Sequence, residues 1–170
     1  LSQRAHSIYH FFRHWASTVG PNSIHSPFVF QFYFEVLKRK TKPLEEAERL
    51  RKNFLNSHEE VLIEDFKSGK TTYQKLKVAA AGSLSKKSFS SFLQRLCNFL
   101  EVSIALETGT NLGVNTHYLA KAHFMKRVAT IEGNKILATE AQKGFLKSNL
   151  VNVDLVNGLI QNKLTPTLKK

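Results

Sequence analysis

Cysteine, acidic residues and long apolar runs are scarce in this chain of 170 residues. The lone cysteine, Cys97, cannot form an internal disulfide, which excludes a disulfide-stapled secreted scaffold and favours a reducing compartment such as the cytoplasm. No apolar run approaches the roughly 20 residues of a membrane-spanning helix. Basic residues interrupt the first 14 positions, so we expect no signal peptide there.

The shortage of acidic residues gives the chain a strong positive charge. There are 13 Asp and Glu against 25 Lys and Arg, a formal net charge of +12. The excess is spread along the chain, with +3 in residues 1–60, +5 in 61–100 and +4 in 101–170. This spread favours a basic, solvated surface over a nucleic-acid-binding face, which stays an alternative.

The first 60 residues have helical patterns and predict a helical N-terminal cap. Apolar residues recur at helical spacing over 3–17. Ser26-Pro27 is typical of an N-cap followed by proline, so a second helix is predicted over 28–40. Its apolar residues lie most of the way round the helix, which favours burial. A third helix is predicted after Pro43, with several glutamates in its first turn.

Residues 61–100 form a connecting segment with a weaker pattern. A short strand is predicted at 61–63, a turn at 65–70 and a helix at 86–99. The apolar residues of that helix are predicted to share one face: Phe89, Phe92, Leu93, Leu96 and Phe99.

From residue 101 onward, strand and helix patterns alternate. The predicted elements are a strand at 103–106, a helix at 114–124, a strand at 127–131, a helix at 136–149 and a strand at 153–156. This β-α-β-α-β order predicts a parallel sheet of an α/β fold, with helices as right-handed crossovers.

A glycine-bearing turn joins the first of these strands to its helix. Glycines at Gly109 and Gly113 let a ligand approach the backbone, and the start of a helix offers free N–H groups. Glu132 ends the next strand, 19 residues after Gly113, where a carboxylate can accept the hydroxyls of a ribose. The alternative is an ordinary tight turn with a surface glutamate.

The spacing of this turn distinguishes between kinds of nucleotide. It lacks the G-x-G-x-x-G pattern of dinucleotide sites and the lysine of a P-loop. Glu107, two residues before Gly109, would repel a pyrophosphate and attract a cationic group. The turn therefore favours S-adenosylmethionine, whose amino-acid end carries an ammonium, over a dinucleotide.

Three stretches resemble a known family. Residues 105–116 resemble motif I of class I S-adenosylmethionine-dependent methyltransferases, in the form typical of the O-methyltransferase-like branch. Residues 128–133 are similar to the second motif of that family. Residues 24–30, which include His-Ser-Pro-Phe, are similar to the N-terminal signature of a subgroup found mainly in Bacteroidetes-type bacteria.

The resemblance implies a Rossmann-like sheet over 101–170, S-adenosylmethionine as cofactor and methyl transfer to a small-molecule acceptor, at oxygen. The implied cofactor residues are Glu107, Gly109, Thr110, Asn111 and Gly113 at the methionine end, Glu132 and Gly133 at the ribose, and Gly158 in the segment beside the adenine. His25 and Asp65 are candidates for one wall of the acceptor pocket; the alternatives are a capping or core histidine and a loop aspartate bonded to its own backbone.

Three departures from the family keep other functions open. Leu159 follows Gly158 where an Asp or Asn is usual, and residues 65–70 read Asp-Phe-Lys-Ser-Gly-Lys where the subgroup has a glycine-rich stretch. In addition, only three predicted strands follow Glu101 where the family has seven. We therefore expect an N-terminal part of a longer protein, and we retain a non-catalytic binding module and an RNA-directed methyltransferase as alternatives. No catalytic base is assigned. His6, His10 and His14 favour the polar face of a helix over a metal site.

Overall fold

The computed structural model describes Arg13 and residues 26–65 and 69–169. The predicted helix at 3–17, apart from the helical Arg13, lies outside these residues, as does the centre of the predicted turn at 65–70. The chain divides into two compact units, residues 1–39 and 40–170. The division into a cap of 1–60, a connecting segment of 61–100 and a domain of 101–170 stays a prediction.

The first unit contains α1, Pro27–Phe32, which begins as the Ser-Pro pair predicts. The Ser26 hydroxyl caps it by accepting from the Val29 N–H at 3.4 Å. A π-helical segment, Tyr33–Lys38, follows, so the helix ends before residue 40 and changes its hydrogen-bonding pattern midway. The prediction of burial is wrong for most of its apolar residues, since Phe28 is 57% exposed. A helix that is apolar all round can bury only the side that meets other residues.

The second unit opens with a helix and a hairpin. Helix α2, Glu45–Asn56, confirms the third predicted helix. Strands β1, Glu60–Asp65, and β2, Lys70–Lys75, pair antiparallel. The sequence predicted the first strand and the turn, but not β2 or the following α3, Leu76–Ser83. Strand β2 is almost wholly exposed, so its sequence carries no apolar alternation from which to predict it.

Helix α4, Lys87–Phe99, is confirmed, but its buried face differs from the predicted one. Ser90 and Ser91 are buried, whereas Phe89 is 48% exposed. The reason is that the two serines face hydrogen-bonding partners on α2 and on the helix after the glycine turn. An apolar face drawn from hydrophobicity alone misses such a polar contact.

The last 70 residues have the predicted α/β alternation. The elements are β3 (Ile104–Thr108), α5 (Val114–Ala120), β4 (Arg127–Glu132), α6 (Lys135–Lys147), β5 (Val153–Asn157) and α7 (Ile160–Leu168). The strands form a parallel sheet in the order β3-β4-β5, which confirms the predicted fold class. Helix α5 ends at Ala120 rather than residue 124, and α7 was not predicted.

Two apolar clusters hold the second unit together. One joins α2, the hairpin, α3 and α5, and includes Phe54, Leu76 and Tyr118. The other joins α4, the end of α5 and β4, and includes Cys97 and Val128. Cys97 is thus a small core residue, and burial raises the pKa of its thiol. The first cluster fixes α2 and α3 beside the start of α5, where the glycine turn lies.

Candidate functional site

The carboxyl ends of the three parallel strands meet at one edge of the sheet. The register places Glu107 of β3 beside Thr130 of β4, and Glu132 of β4 beside Asn157 of β5. The turn Gly109–Gly113 leaves β3 at this edge, and its Gly109 N–H donates to the Ile131 carbonyl at 2.8 Å. In open α/β sheets this edge is where ligands bind.

Glu107 lies at the end of a chain of hydroxyl groups. Its Oε2 accepts from Thr116 Oγ1 at 2.6 Å and from Thr130 Oγ1 at 2.7 Å. Because the Thr130 proton is used there, Thr110 Oγ1 donates to Thr130 Oγ1, at 2.6 Å. Burial is the main influence on the Glu107 carboxyl and raises its pKa, and the two threonine hydrogen bonds act in the opposite direction. Within the described residues Oε1 has no hydrogen-bond partner.

Glu132 links the turn to the start of α6 by hydrogen bonds. One carboxylate oxygen accepts from the Asn111 N–H at 2.7 Å, and the other accepts from the Asn134 N–H at 2.9 Å. Asn134 in turn caps α6 by accepting from the N–H groups of Ile136 and Leu137. Glu132 is 8% exposed, so its oxygens depend on these backbone donors for their hydrogen bonds.

The two glycines of the turn are required for different reasons. Both have positive φ, +88° at Gly109 and +75° at Gly113. A Cβ on Gly109 would meet nothing within 4 Å, so the backbone there borders open space. A Cβ on Gly113 would lie 2.6 Å from Phe145 Cε1 and 3.1 Å from the Ala141 Cβ. Gly113 therefore permits close packing of the turn on α6, and Gly109 leaves room for a ligand.

A small cleft of about 70 Å³ borders the turn. Its walls are Ser83, Leu84, Ser85, Gly109, Thr110, Asn111, Val114 and Asn115. Asn111, at φ +53°, has a buried side-chain Oδ1 with no hydrogen-bond partner among the described residues. An unpaired buried acceptor is costly, and Asn111 is one of the residues that line the cleft.

Behind the cleft, a ring of hydrogen bonds joins Arg51, Ser85, Ser90 and Asn115; we call it the Arg51 ring. Arg51 donates to the Ser85 carbonyl and to Ser90 Oγ, the latter at 3.0 Å. Ser90 Oγ donates to Asn115 Oδ1 at 2.6 Å, and Asn115 Nδ2 donates to Ser85 Oγ at 3.0 Å. The ring connects α2 and α4 with two walls of the cleft.

The segment after β5 is tied to the end of β4. The Gly158 N–H donates to the Glu132 carbonyl at 2.9 Å, and Asn157 Nδ2 donates to the same oxygen at 2.8 Å. Asn157 also reaches the Gly133 carbonyl, at 3.4 Å. These bonds place Gly133, Gly158 and Leu159 next to one another at the strand ends.

The structure brings most of the predicted site residues together, and the side chains of the other two lie outside the described residues. Glu107, the turn, Glu132, Gly133 and Gly158 share the strand ends. His25 lies outside the described residues, and Asp65 ends β1 with its side chain outside them. Two larger grooves, of about 290 and 330 Å³, lie beside α6 and are lined by none of the predicted site residues that the structure describes.

The sequence did not predict a role for the hydroxyl, amide and guanidinium groups around the turn: Thr116, Thr130, Ser85, Asn115 and Arg51. Thr130 had a usable signal, because it pairs with Glu107 in the register that two aligned parallel strands impose. Arg51, Ser85 and Asn115 are far apart in sequence and had none. Among the described residues no three His, Cys, Asp or Glu side chains gather as a metal site requires, and no helix there has the length and apolarity to cross a membrane.

No family model and no curated protein sequence matches the chain. Several solved structures are similar to it. An O-methyltransferase from Bacillus cereus in complex with S-adenosylhomocysteine shares 23% identity at a TM-score of 0.51, covering 84% of this chain and 55% of that one. The S-adenosylhomocysteine-bound methyltransferase PaMTH1 of Podospora anserina has 12% identity, a TM-score of 0.57 and coverages of 87% and 55%.

A third similar structure is the O-methyltransferase TomG of Streptomyces achromogenes, in complex with S-adenosylmethionine. It shares 18% identity at a TM-score of 0.50, over 90% of this chain and 57% of that one. The chain thus spans little more than half the length of each of these structures. Together with the parallel sheet and its crossover helices, the likeness shows that the chain has a Rossmann-like α/β fold, similar to part of these methyltransferase structures.

Proposed function

We propose that this chain binds S-adenosylmethionine at the strand ends and belongs to an enzyme that transfers its methyl group to an oxygen of a small-molecule acceptor. The observation that carries the proposal is the pair of carboxylates, Glu107 and Glu132, on either side of a turn that borders open space at Gly109. A carboxylate at the position of Glu107 would repel the phosphates of a dinucleotide or of a P-loop ligand.

The cleft fits the amino-acid end of the cofactor. Asn111 lines the cleft and its Oδ1 lacks a donor, and Glu107 Oε1, near the end of β3, is free among the described residues. We assign these two oxygens as the acceptors for an ammonium group. The Ser85 hydroxyl accepts from Asn115 and so keeps its own proton for a carboxylate. A cleft of about 70 Å³ accommodates this end of the molecule, and the rest would lie along the open strand ends.

Glu132 fits the ribose. Each of its oxygens accepts one backbone N–H, which leaves a lone pair on each for one hydroxyl of a vicinal pair. The adenine would then rest beside Leu159, an apolar contact in place of a polar one. The Gly158 N–H and the Asn157 amide are already engaged by the Glu132 carbonyl.

The bound cofactor supplies an electrophilic methyl group on a sulfonium. The contribution of this chain is to bind and orient it, so that the methyl group faces an acceptor held in line. No described residue is assigned as the general base, and His25 and Asp65 stay proposals for the acceptor wall.

Calorimetric titration of S-adenosylmethionine and S-adenosylhomocysteine tests the proposal. We expect binding by the wild-type chain and a loss of about 10- to 100-fold in Glu132→Gln and in Glu107→Gln, the factor that corresponds to one hydrogen bond with a charged group. Glu60→Gln on the exposed face of β1 is the matched control and should leave affinity unchanged. No binding by a folded wild-type chain would refute the proposal.

The alternatives are distinguished by assays of methyl transfer and of RNA binding. A non-catalytic module would bind the cofactor and yield no methylated product with any acceptor, even in the longest form of the protein. An RNA-directed enzyme would also bind RNA, with an affinity that falls steeply as salt rises.

A further inference from the structure

The Arg51 guanidinium lies behind the cleft and not in it, yet two of the cleft's walls depend on it. We propose that Arg51 is a positioning residue: through the Arg51 ring it holds Ser85 and Asn115 in place to contact the amino-acid end of the cofactor. The inference rests on the proposed function. It concerns a side chain that neither the motifs nor the pattern of the sequence singled out.

The charge of Arg51 is already balanced without the ring. The side chain is 11% exposed, and its Nε donates to both oxygens of Glu48, at 3.2 and 3.1 Å. Glu48 also accepts from the Tyr118 hydroxyl at 2.8 Å. The ion pair therefore accounts for the Nε group alone, and both terminal nitrogens remain directed at the Ser85 carbonyl and the Ser90 hydroxyl.

A planar guanidinium fixes its two partners relative to each other. Its N–H groups point in set directions in one plane, so the loop at Ser85 and the helix at Ser90 are held at a defined separation. A lysine in its place keeps the charge but has no such fork.

Through Ser90, the ring also fixes the orientation of the Asn115 side-chain amide. The single proton of Ser90 Oγ goes to Asn115 Oδ1 at 2.6 Å rather than to the Lys86 carbonyl at 3.4 Å. This fixes the amide with Nδ2 toward Ser85 Oγ. Since Ser85 Oγ then accepts, its own proton is the one left for a ligand in the cleft.

Loss of Arg51 should therefore affect one end of the cofactor. Without the fork, Ser90 is free to turn to Lys86, the Asn115 amide loses its fixed orientation and the Ser85 loop loses an anchor. Glu132 and the Gly158 segment have no bond to the ring, so the nucleoside end keeps its contacts. A merely structural role would weaken both ends alike.

The test compares S-adenosylhomocysteine with 5′-methylthioadenosine, which has the adenosine and the thioether but no amino-acid end. For Arg51→Met we expect S-adenosylhomocysteine to bind about tenfold or more weakly and 5′-methylthioadenosine to change by less than about twofold. Arg51→Lys should lose most of the S-adenosylhomocysteine affinity that Arg51→Met loses. Arg49→Met, on the same helix and exposed, is the control and should change neither ligand.

Each other result has a definite meaning. If the wild-type chain binds neither ligand, the proposed function fails. If it binds both and Arg51→Met weakens both equally or neither, the positioning role is wrong and the proposed function stands. Full affinity in Arg51→Lys would also overturn it, because charge alone would then suffice. If Arg51→Met does not fold, Ser90→Ala removes two bonds of the ring, those of Ser90 Oγ with Arg51 and with Asn115, and should show the same selective loss. An unselective loss or none would refute the proposal.

Discussion

The close contact of Gly113 with α6 leads to a quantitative prediction for Gly113→Ala. The new Cβ would lie 2.6 Å from Phe145 Cε1 and 2.8 Å from Cζ, and Phe145 is 2% exposed, so the ring cannot move aside into solvent. Overpacking of this kind costs about 1–3 kcal/mol. A non-glycine residue in the left-handed region adds about 1–2 kcal/mol. The free energy of unfolding should therefore fall by about 2–5 kcal/mol.

Gly109→Ala is the matched comparison. Its φ is +88°, but a Cβ would meet nothing within 4 Å, so only the conformational cost applies. Urea unfolding of both variants should show Gly113→Ala to be the less stable by about 1–3 kcal/mol. Gly109→Ala should instead weaken S-adenosylhomocysteine binding, because its methyl group enters the space left for the ligand.

A double-mutant cycle identifies the contact responsible. Phe145→Leu shortens the side chain that Gly113→Ala would strike, so the double variant should lose less stability than the sum of the two single variants. Simple additivity, or equal destabilisation by alanine at positions 109 and 113, would refute the assignment of Gly113 to packing.

Three further predictions concern buried polar groups. Burial raises the pKa of Glu107 above its ordinary 4.5, so ionisation of this carboxyl opposes folding at about pH 7. Urea unfolding should therefore show Glu107→Gln to be more stable than wild type, and the difference should disappear as the pH falls below 4.5. Burial lowers the pKa of His117 below 6.5, so wild-type stability should decline as pH falls below 6.5, and His117→Asn should flatten that decline; an unchanged slope would contradict it. Tyr118→Phe removes the hydroxyl that donates to Glu48 and should lower the unfolding free energy by about 1–2 kcal/mol, whereas no loss would show that the bond is absent in solution.

Much of the α/β part could be predicted from sequence because its signals are local. Buried strands, turn glycines and helix caps each leave a pattern within a few residues, and the order of the elements then dictates a parallel sheet. Glu107 and Glu132 were found in this way, since each ends or nearly ends a predicted strand.

The remaining features depend on contacts that are distant in sequence. Strand β2 is exposed and acquires its conformation by pairing with β1. Ser90 and Ser91 are buried because Arg51, Asn115 and Tyr118 meet them, and no spacing rule within α4 indicates this. The different requirements for glycine at positions 109 and 113 likewise emerge only when α6 is packed against the turn.

A crystal structure of the chain with S-adenosylhomocysteine would show whether the cofactor lies at the strand ends. We expect ribose hydroxyl oxygens within about 3 Å of the Glu132 carboxylate. We also expect the ammonium beside Glu107 and Asn111, and the carboxylate beside Ser85. A ligand bound elsewhere, one bound with its amino-acid end away from this cleft, or crystals that take up no ligand under saturating conditions would contradict this placement.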